Sequence, residues 1–224
     1  MERVADGLSL TSRTFPRASL DEILAVARPF SPEGHYLYPA DREGNHVRGF
    51  IAVEPIARHG PFVGRIADDV AAWARAESID ADVVFAPAQP AVRVLGGAVA
   101  RALDLEAAYW EYRPSGRYGE RLVEGTVKPG SWALVFNGVS LQGRCVGDRL
   151  PAFLDRLGGS VAGAAVFAKG TAPLIHKVEQ RLGSRFYSTV QVDVTIYRPA
   201  ACPMCAASGA PPVPWTDFAE GVRT

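Results

Sequence analysis

The chain has 224 residues, of which 48% are hydrophobic and 21% are charged, so it has enough apolar material for the core of one large domain. Lysine plus arginine and aspartate plus glutamate number 24 each, and this balance excludes a global field that would attract nucleic acid or an anionic membrane. Three cysteines, an odd number, argue against a disulfide framework.

Targeting and membrane signals are missing from the sequence. The first residues contain no apolar signal segment, and no stretch approaches the roughly 20 apolar residues of a membrane span. We therefore expect a cytoplasmic protein with neither a nucleic-acid partner nor a membrane partner.

Hydrophobic periodicity predicts an alternation of helices and strands. In chain order the predicted elements are a helix at 20–28, strands at 36–38 and 50–53, a helix at 62–74, a strand at 83–86, a helix at 92–103, strands at 107–112 and 132–136, a helix at 146–157, a strand at 161–167, a helix at 174–182 and a strand at 190–196. The first helix is preceded by Ser19-Leu-Asp-Glu22, which has the pattern of a capping box. A long polar excursion is expected at 113–125.

The alternation from Val83 onward predicts an α/β fold, with a mostly parallel sheet and helices on both faces. We expect an N-terminal helix and hood strands over residues 1–55, an α/β core over 56–198 and a Pro-rich C-terminal tail over 199–224.

The stretch 132–146 is the most informative part of the sequence. An apolar run leads into a small polar loop with Gly138 and Gly143, and an amphipathic helix pattern follows. Strand, loop and helix in this order are typical of a phosphate cradle, because the free N–H groups and the positive dipole end of the helix favour an anion. The same arrangement also occurs in proteins without any ligand.

Several short features between about Ser19 and Cys205 carry a family resemblance. They are Gly34-His-Tyr-Leu, the alanine-rich helix after Pro87, the Lys128-Pro-Gly130 turn and the ending Cys202-Pro-Met-Cys205. Together they resemble the orotate phosphoribosyltransferase branch of the type I phosphoribosyltransferases. The resemblance implies a mostly parallel sheet flanked by helices, a small hood, and a twofold homodimer.

The resemblance also implies where the ligand binds, and where this chain departs from the family pattern. In the family the central strand ends in two acidic residues that hold the ribose hydroxyls of phosphoribosyl pyrophosphate, and a Thr-Thr-Gly-Gly-like loop holds its 5′-phosphate. Here Phe136 and Asn137 stand at the acidic positions, and the phosphate-loop positions begin at Ser140. Because both carboxylates are missing, we expect weak or absent magnesium dependence and no certain cofactor. The residues expected to bind phosphate or ligand at these and neighbouring positions are Asn137, Ser140, Gln142, Gly143, Arg144, Gln89, Arg93 and Lys169.

The polar excursion corresponds to the mobile loop that closes over the site in the family. Its expected lid residues are Arg113, Arg117, Tyr118 and Arg121. Three arginines near two glycines suit a lid that grips an anion, since guanidinium groups fork onto phosphate oxygens. A solvated hairpin with ordinary surface arginines is the alternative interpretation.

The sequence identifies no catalytic residue and no metal site. Cys202 and Cys205 have a metal-like spacing, but a tetrahedral zinc site needs about four ligands and the histidines are scattered along the chain. Cys145 lies at a helix start, where a thiol pKa is often lowered, but its small size also suits that position. We expect no metal, with the two cysteines of the tail as weak candidates.

Three functions remain open from the sequence. The first is a diverged enzyme that acts on a phosphorylated or nucleotide-like substrate, because basic residues persist at the phosphate positions while the acids are lost. The second is a catalytically inactive paralogue that senses a nucleotide or binds a partner. The third is a conventional orotate phosphoribosyltransferase.

Overall fold

The computed structural model describes residues 8–38, 44–113 and 116–214. The strands are β1 (Leu8–Leu10), β2 (Tyr36–Leu37), β3 (His46–Val47), β4 (Val83–Pro87), β5 (Glu106–Tyr112), β6 (Tyr118–Glu124), β7 (Trp132–Ser140), β8 (Ser160–Lys169), β9 (Phe186–Val192), β10 (Ile196–Tyr197) and β11 (Val213–Pro214). The helices are α1 (Arg17–Ala27), α2 (Glu54–Ala57), α3 (Gly60–Ala76), α4 (Pro90–Leu103), α5 (Leu150–Arg156), α6 (Pro173–Leu182) and α7 (Pro203–Ser208). A π-helical turn at Cys145–Arg149 leads into α5, and 3-10 turns lie at Gly183–Arg185 and Pro199–Ala201.

The main sheet has seven strands in the order β1-β9-β8-β7-β4-β5-β6. The five inner strands are parallel to one another, and the two edge strands β1 and β6 pair antiparallel. Strand β4 is buried along its whole length, which requires cover on both faces. The predicted α/β fold with a mostly parallel sheet is therefore confirmed.

Alternate residues of the central strands belong to two separate cores. On one face Leu134 and Phe136 pack with apolar residues of α1, α2, α3 and α4. On the other face Ala133 and Val135 pack with α5 and α6, through residues such as Leu150 and Val178. The period-two alternation along β7 thus decides which side chains join which core.

A second, small sheet forms the hood, in the order β10-β3-β2-β11. Strand β2 pairs antiparallel with β3, and β10 pairs antiparallel with the other side of β3. Strand β11, from the C-terminal segment, pairs parallel with β2. Segments assigned from sequence to the hood, the core and the tail thus share one sheet, while the boundaries at 55 and 198 stay a prediction.

A buried carboxylate ties the N-terminal strand to the main sheet. Asp69 on α3 accepts hydrogen bonds from the Ser12 and Thr14 hydroxyls, both at 2.7 Å, and from Tyr187 and Thr189 of β9 at 2.6 and 3.0 Å. These donors come from two separate parts of the chain, and the acceptor lies in a third. A charged acceptor with four donors stabilises their arrangement more strongly than neutral hydrogen bonds would.

Two predictions in the hood region are wrong. Helix α1 begins two residues before the proposed capping Ser19, after Pro16, and has no side-chain cap. Residues 50–53 form no strand of either sheet, since Ala52 N–H donates to Pro29 O at 2.8 Å and only Ile51 forms an isolated bridge, with Phe30. The segment is buried because it packs under the hood.

The polar excursion contains strand β6, which pairs antiparallel with β5 and is held by a hydrogen bond from Trp110 Nε1 to Gly119 O at 3.0 Å. This agrees with the hairpin of the alternative interpretation. One prediction in the main sheet needs correction. The predicted strand at 190–196 is two strands, because β9 ends at Val192 and β10 pairs with β3 of the hood sheet, which is distant in sequence.

The helix predicted at 146–157 begins with the π-helical turn, and Pro151 explains this start. Proline has no N–H to donate to Gly147 O, four residues earlier, and its ring crowds that carbonyl. Gly147 O instead accepts a hydrogen bond from Arg181 at 2.8 Å, and Leu150 N–H donates to Cys145 O. The turn therefore widens just after the proposed phosphate loop.

Some expectations concern residues that the structure does not describe. Part of the lid, at positions 114 and 115, and the last ten residues of the predicted tail lie outside the described residues. Within the part that is described, no helix has the length and apolar character needed to cross a membrane.

Candidate functional site

The candidate site lies at the carboxyl edge of β4 and β7. These strands are adjacent and parallel, so the segments that follow them emerge at the same edge. Pro87 at the end of β4, Gln89 after it and Asn137 near the end of β7 line one common cavity. The loop after β4 therefore lies beside the proposed phosphate loop.

A basic cavity of about 330 Å³ opens at this edge. Its lining residues, which define it here, are Tyr38, Arg113, Arg117, Tyr118, Glu120, Val139, Ser140, Leu141, Gln142, Gly143, Arg144, Cys145 and Arg149. Four arginines face one glutamate in this lining. Such an excess of fixed positive charge favours an anionic ligand.

An inner cavity of about 90 Å³ adjoins the basic cavity. Its lining residues are Tyr38, Phe50, Ile51, Ala52, Val53, Glu54, Pro87, Gln89, Tyr112, Tyr118, Asn137, Val139, Leu141 and Cys145. Five residues line both cavities, so the two adjoin, and the walls change from charged in the basic cavity to mostly apolar and aromatic in the other. Ligand sites commonly combine such apolar walls with a few polar groups.

The loop after β7 has the backbone expected of a close-approach turn. Gly143 has φ +83°, and a Cβ there would lie 2.9 Å from Ile175 N of helix α6. Its carbonyl accepts a hydrogen bond from Gly147 N–H at 2.8 Å. A side chain at this position would be strained and would also push against α6, so glycine is required.

One hydroxyl group in the cavity wall lacks a hydrogen-bond partner. Ser140 Oγ is buried and has no partner among the described residues, whereas the Tyr118 hydroxyl interacts with the Cys145 thiol. Buried polar groups are nearly always satisfied, and each exception needs an explanation. A bound polar ligand would satisfy Ser140.

Buried titratable groups at the site have shifted pKa values. Burial raises the pKa of Glu54, although hydrogen bonds, including one donated by Gln89, oppose that effect. Burial also raises the pKa of Tyr112 and, further, that of Tyr118, so both phenols stay protonated. The site is therefore a poor environment for negative charge in its inner part.

The thiol of Cys145 behaves differently from the expectation for a helix start. Burial raises its pKa, and the hydroxyl of Tyr118 and the charge of Arg149 oppose only part of that rise. The interpretation of Cys145 as a small residue at the helix start therefore fits better than that of an activated thiol. Cys145 is a neutral thiol in the wall between the two cavities.

A separate cluster lies at the outer side of the hood. His35, His46, Cys202 and Cys205 each offer a possible ligand atom, and all four atoms lie within 4.8 Å of one another. Burial, and secondarily the nearby His35, lowers the pKa of His46. The histidines are scattered along the sequence, but folding brings His35 and His46 to the two cysteines. The argument from sequence spacing against a set of four ligands is therefore wrong.

Several known proteins are similar to this chain in sequence or in structure. No protein-family profile matches the chain. The orotate phosphoribosyltransferase of Carboxydothermus hydrogenoformans is 29% identical over 182 residues, which cover 81% of this chain and 88% of that protein. The crystal structure of orotate phosphoribosyltransferase from Aeropyrum pernix superposes with a TM-score of 0.58 at 16% identity, covering 78% of this chain and 92% of that one.

The Mycobacterium tuberculosis orotate phosphoribosyltransferase, in its complex with 5-phospho-α-D-ribosyl 1-diphosphate, superposes with a TM-score of 0.55 at 18% identity, covering 81% of this chain and 93% of that one. The chain has the type I phosphoribosyltransferase fold. Its sequence and structure both resemble orotate phosphoribosyltransferase, so the predicted resemblance is confirmed.

Within this phosphoribosyltransferase fold, the two positions at which the family resemblance implies acids have different environments. The Phe136 ring is fully buried in the core under α4 and lines neither cavity. Asn137 lines the inner cavity, and its Nδ2 donates to Val139 O at 3.1 Å. One position has thus joined the hydrophobic core, and the other presents a neutral amide.

The predicted site residues divide into three groups. The basic cavity collects the loop residues Ser140, Gln142, Gly143 and Arg144 with the lid residues Arg113, Arg117 and Tyr118. The inner cavity collects Gln89 and Asn137. Neither cavity includes Arg93, Arg121 or Lys169.

The three residues outside the cavities have other partners. Arg93 forms an ion pair with Glu124 and lies over the Tyr109 ring. Lys169 donates to Glu179. Arg121 is 78% exposed, with Nε 4.0 Å from Glu111.

Four polar or charged residues of the site were not singled out from the sequence as ligand contacts, besides the apolar residues of its walls. They are Tyr38, Glu54, Glu120 and Arg149. Glu54 follows a buried segment, and a carboxylate directly after four apolar residues was the available signal. Arg149 lies one turn beyond the phosphate loop, where the π-helical turn changes the helical phase, so its direction could not be read from spacing.

Proposed function

We propose that the protein is a diverged enzyme of the phosphoribosyltransferase fold. It binds a phosphorylated, nucleotide-like molecule without magnesium chelation by β7. The phosphate occupies the basic cavity, and the rest of the molecule extends into the inner cavity. The observation that carries the proposal is the basic cavity itself, where arginines of the lid and of the phosphate loop converge on a buried hydroxyl without a partner.

Phosphate recognition is supported by charge and by donor chemistry. Arg113 and Arg117 approach from the lid side, and Arg144 and Arg149 from the start of the helix that follows β7. Guanidinium groups bind phosphate oxygens in a bidentate manner, and the Ser140 hydroxyl can donate to another oxygen. Several donors from two sides suit a group with three terminal oxygens.

The inner cavity suits a ribose or a planar base. Tyr38, Phe50 and Tyr112 provide aromatic walls, while Gln89 and Asn137 provide amides that can donate to or accept from ring or hydroxyl groups. Raised pKa values keep Tyr112 and Tyr118 protonated, so both phenols are available as donors. The volume and the lining therefore match an uncharged part of a nucleotide.

Magnesium independence is supported by the two altered positions. Magnesium binds proteins mainly through carboxylate oxygens and keeps several waters. Phe136 is in the core, and Asn137 carries no charge, so β7 offers no carboxylate to a cation. The magnesium dependence that family enzymes show through these positions is thus not expected here.

A binding panel tests the proposal. Calorimetry would compare inorganic phosphate, phosphoribosyl pyrophosphate and nucleoside 5′-monophosphates, each with and without magnesium. Arg117→Ala removes a cavity charge, whereas Arg121→Ala removes an exposed arginine of the same hairpin that lies outside the cavity. One lost charge-assisted contact contributes about 1.5–3 kcal/mol, or about tenfold to over a hundredfold in affinity.

We expect Arg117→Ala to weaken binding and Arg121→Ala to leave it unchanged. Equal losses in both variants would show that the lid acts only as general positive charge. Failure of every phosphorylated compound to bind would reject the ligand-binding proposal.

A non-catalytic binding protein is the second candidate, and it is favoured by the loss of both acidic positions. A conventional orotate phosphoribosyltransferase is supported by the 29% sequence identity to an enzyme of that name. Spectrophotometry of orotate with phosphoribosyl pyrophosphate and magnesium distinguishes them. We expect no orotate consumption, and magnesium-dependent consumption would establish the conventional activity instead.

A further inference from the structure

The His–Cys cluster is defined by His35, His46, Cys202 and Cys205. We propose that it is a tetrahedral Zn²⁺ site that fastens the C-terminal segment to the hood sheet. The site is distinct from the basic and inner cavities, because none of its four residues lines either of them. Its proposed role is structural, since all four coordination positions are supplied by the protein.

Four of the six distances between the candidate ligand atoms are close to those of a metal site. Cys205 Sγ lies 3.5 Å from His35 Nε2 and 3.3 Å from His46 Nδ1, and Cys202 Sγ lies 3.6 Å from His35 Nε2. The two ring nitrogens are 2.9 Å apart. With Zn–N of about 2.0–2.1 Å and Zn–S of about 2.3 Å, tetrahedral edges of about 3.3–3.8 Å are expected. Shifts of a few tenths of an ångström would bring these four distances to that geometry, and the other two pairs lie within 4.8 Å.

The orientation of His35 is fixed in the way that metal-binding histidines require. Its Nδ1 lies 3.0 Å from Ala210 O, and a carbonyl can only accept, so Nδ1 carries the proton. In the neutral ring the lone pair is then on Nε2, which faces His46 and both sulfurs. A backbone carbonyl in this position is a common partner of metal-binding imidazoles.

The chemistry of the ligands selects zinc. Two sulfurs and two imidazole nitrogens in a tetrahedral arrangement suit Zn²⁺, and two thiolates would neutralise its charge. Cys202 is 3% exposed and His46 is 6% exposed, so a neutral complex avoids the cost of a buried charge. A cluster of this kind without a metal would leave the His35 lone pair facing another imidazole and two thiols.

The connections around the cluster show what the ion would hold together. His35 directly precedes β2, and His46 begins β3, while both cysteines belong to the C-terminal segment. That segment continues into β11, where Val213 N–H donates to His35 O at 2.8 Å. Strands of two residues contribute few hydrogen bonds, so a metal cross-link would supply much of the stability of this small sheet.

Metal analysis of the purified full chain tests the proposal. After dialysis against a weak chelator, mass spectrometry of metals should find about one zinc per chain. Cys205→Ser and His46→Asn should lose that zinc. The matched controls are Cys145→Ser and His176→Asn, which remove the remaining cysteine and an exposed histidine, and both should retain it.

A second measurement covers variants that fail to fold. Wild-type protein stripped of metal and titrated with Co²⁺ should develop the visible absorption of tetrahedral cobalt and a thiolate charge-transfer band, and Zn²⁺ should displace both. Wild-type protein with no bound zinc and no cobalt spectrum would overturn the proposal. A Cys202–Cys205 disulfide in freshly purified protein, or stoichiometric iron in place of zinc, would do so as well.

Discussion

The sharpest prediction concerns the restoration of an acid at position 136. Phe136→Asp places a carboxylate where the structure has a fully buried aromatic ring, packed against α4 near Gly96. Truncation of a core phenylalanine costs about 3–5 kcal/mol through lost burial and the remaining cavity. An unpaired buried charge adds further cost, so we expect at least about 4 kcal/mol of destabilisation at neutral pH.

That loss is a large fraction of the stability of an ordinary domain, which is about 5–15 kcal/mol. Urea unfolding followed by circular dichroism measures it as a lower midpoint. Phe136→Leu is the matched control and should cost under about 1.5 kcal/mol, because it keeps an apolar side chain in the core. A wild-type midpoint for Phe136→Asp would refute the assignment of Phe136 to the core.

Asn137→Asp is the informative counterpart at the cavity. It removes the donor to Val139 O but leaves the apolar core intact, so the destabilisation should be about 1–3 kcal/mol and smaller than that of Phe136→Asp. We expect this variant to bind phosphoribosyl pyrophosphate with a stronger magnesium dependence than wild type, as measured by calorimetry. An unchanged magnesium dependence would show that this position does not reach the cation.

Three further predictions concern stability. Glu54→Gln should raise the melting temperature at neutral pH. The folded-state pKa of Glu54 is raised, so burial of the ionised carboxylate lowers the stability of the wild type at neutral pH. The difference in melting temperature between variant and wild type should vanish as the pH falls below the ordinary glutamate pKa. Gly143→Ala should cost more than the roughly 1–2 kcal/mol of left-handed strain, because its Cβ meets the backbone of α6, whereas Gly64→Ala, a helical position with open space, should be neutral or stabilising in the same thermal melts. Asp69→Ala should lower the free energy of unfolding, by about 1–3 kcal/mol for each buried donor left without a partner. A near-wild-type urea midpoint would contradict that network.

The phosphate loop could be predicted because its signal is local. Ser140 and Gly143 lie within a few residues of one strand end and one helix start, so periodicity places them directly. The basic lid could also be proposed from its own sequence, and a hairpin was the alternative interpretation there, but the bounds of β6 could not be predicted. Its sequence, Tyr118-Gly-Glu-Arg-Leu-Val-Glu124, has no apolar period, and Trp110 of β5 donates to Gly119 O within it.

The rest of the site depends on contacts between distant segments. Glu54 and Gln89 meet across 35 residues, and Cys205 meets His35 across 170. Spacing within one segment carries no information about such pairs. For Phe136 the local pattern was the better guide. Alignment with the family pattern placed this residue at the ligand, whereas it lies two residues after Leu134 on the same face of β7, and both side chains are in the core.

The hood connects the two proposals physically. Tyr38 follows β2, and Phe50 lies between β3 and α2; both residues pack in the small hood core and both line the inner cavity. The proposed zinc would hold β2 and β3 together through His35 and His46. Loss of the ion should therefore loosen the aromatic wall of the inner cavity before it disturbs the main sheet, whose cores contain none of the four ligands.

Measurements on metal-stripped protein can separate these effects. We expect far-UV circular dichroism to change little, because the seven-stranded sheet remains, while affinity for a nucleoside 5′-monophosphate falls. Affinity for inorganic phosphate should change less, since the arginines of the basic cavity lie on the turn after β7 and on the lid. Equal losses for both compounds would indicate that the ion supports the whole fold, and no loss for either would show that the hood wall is rigid without it.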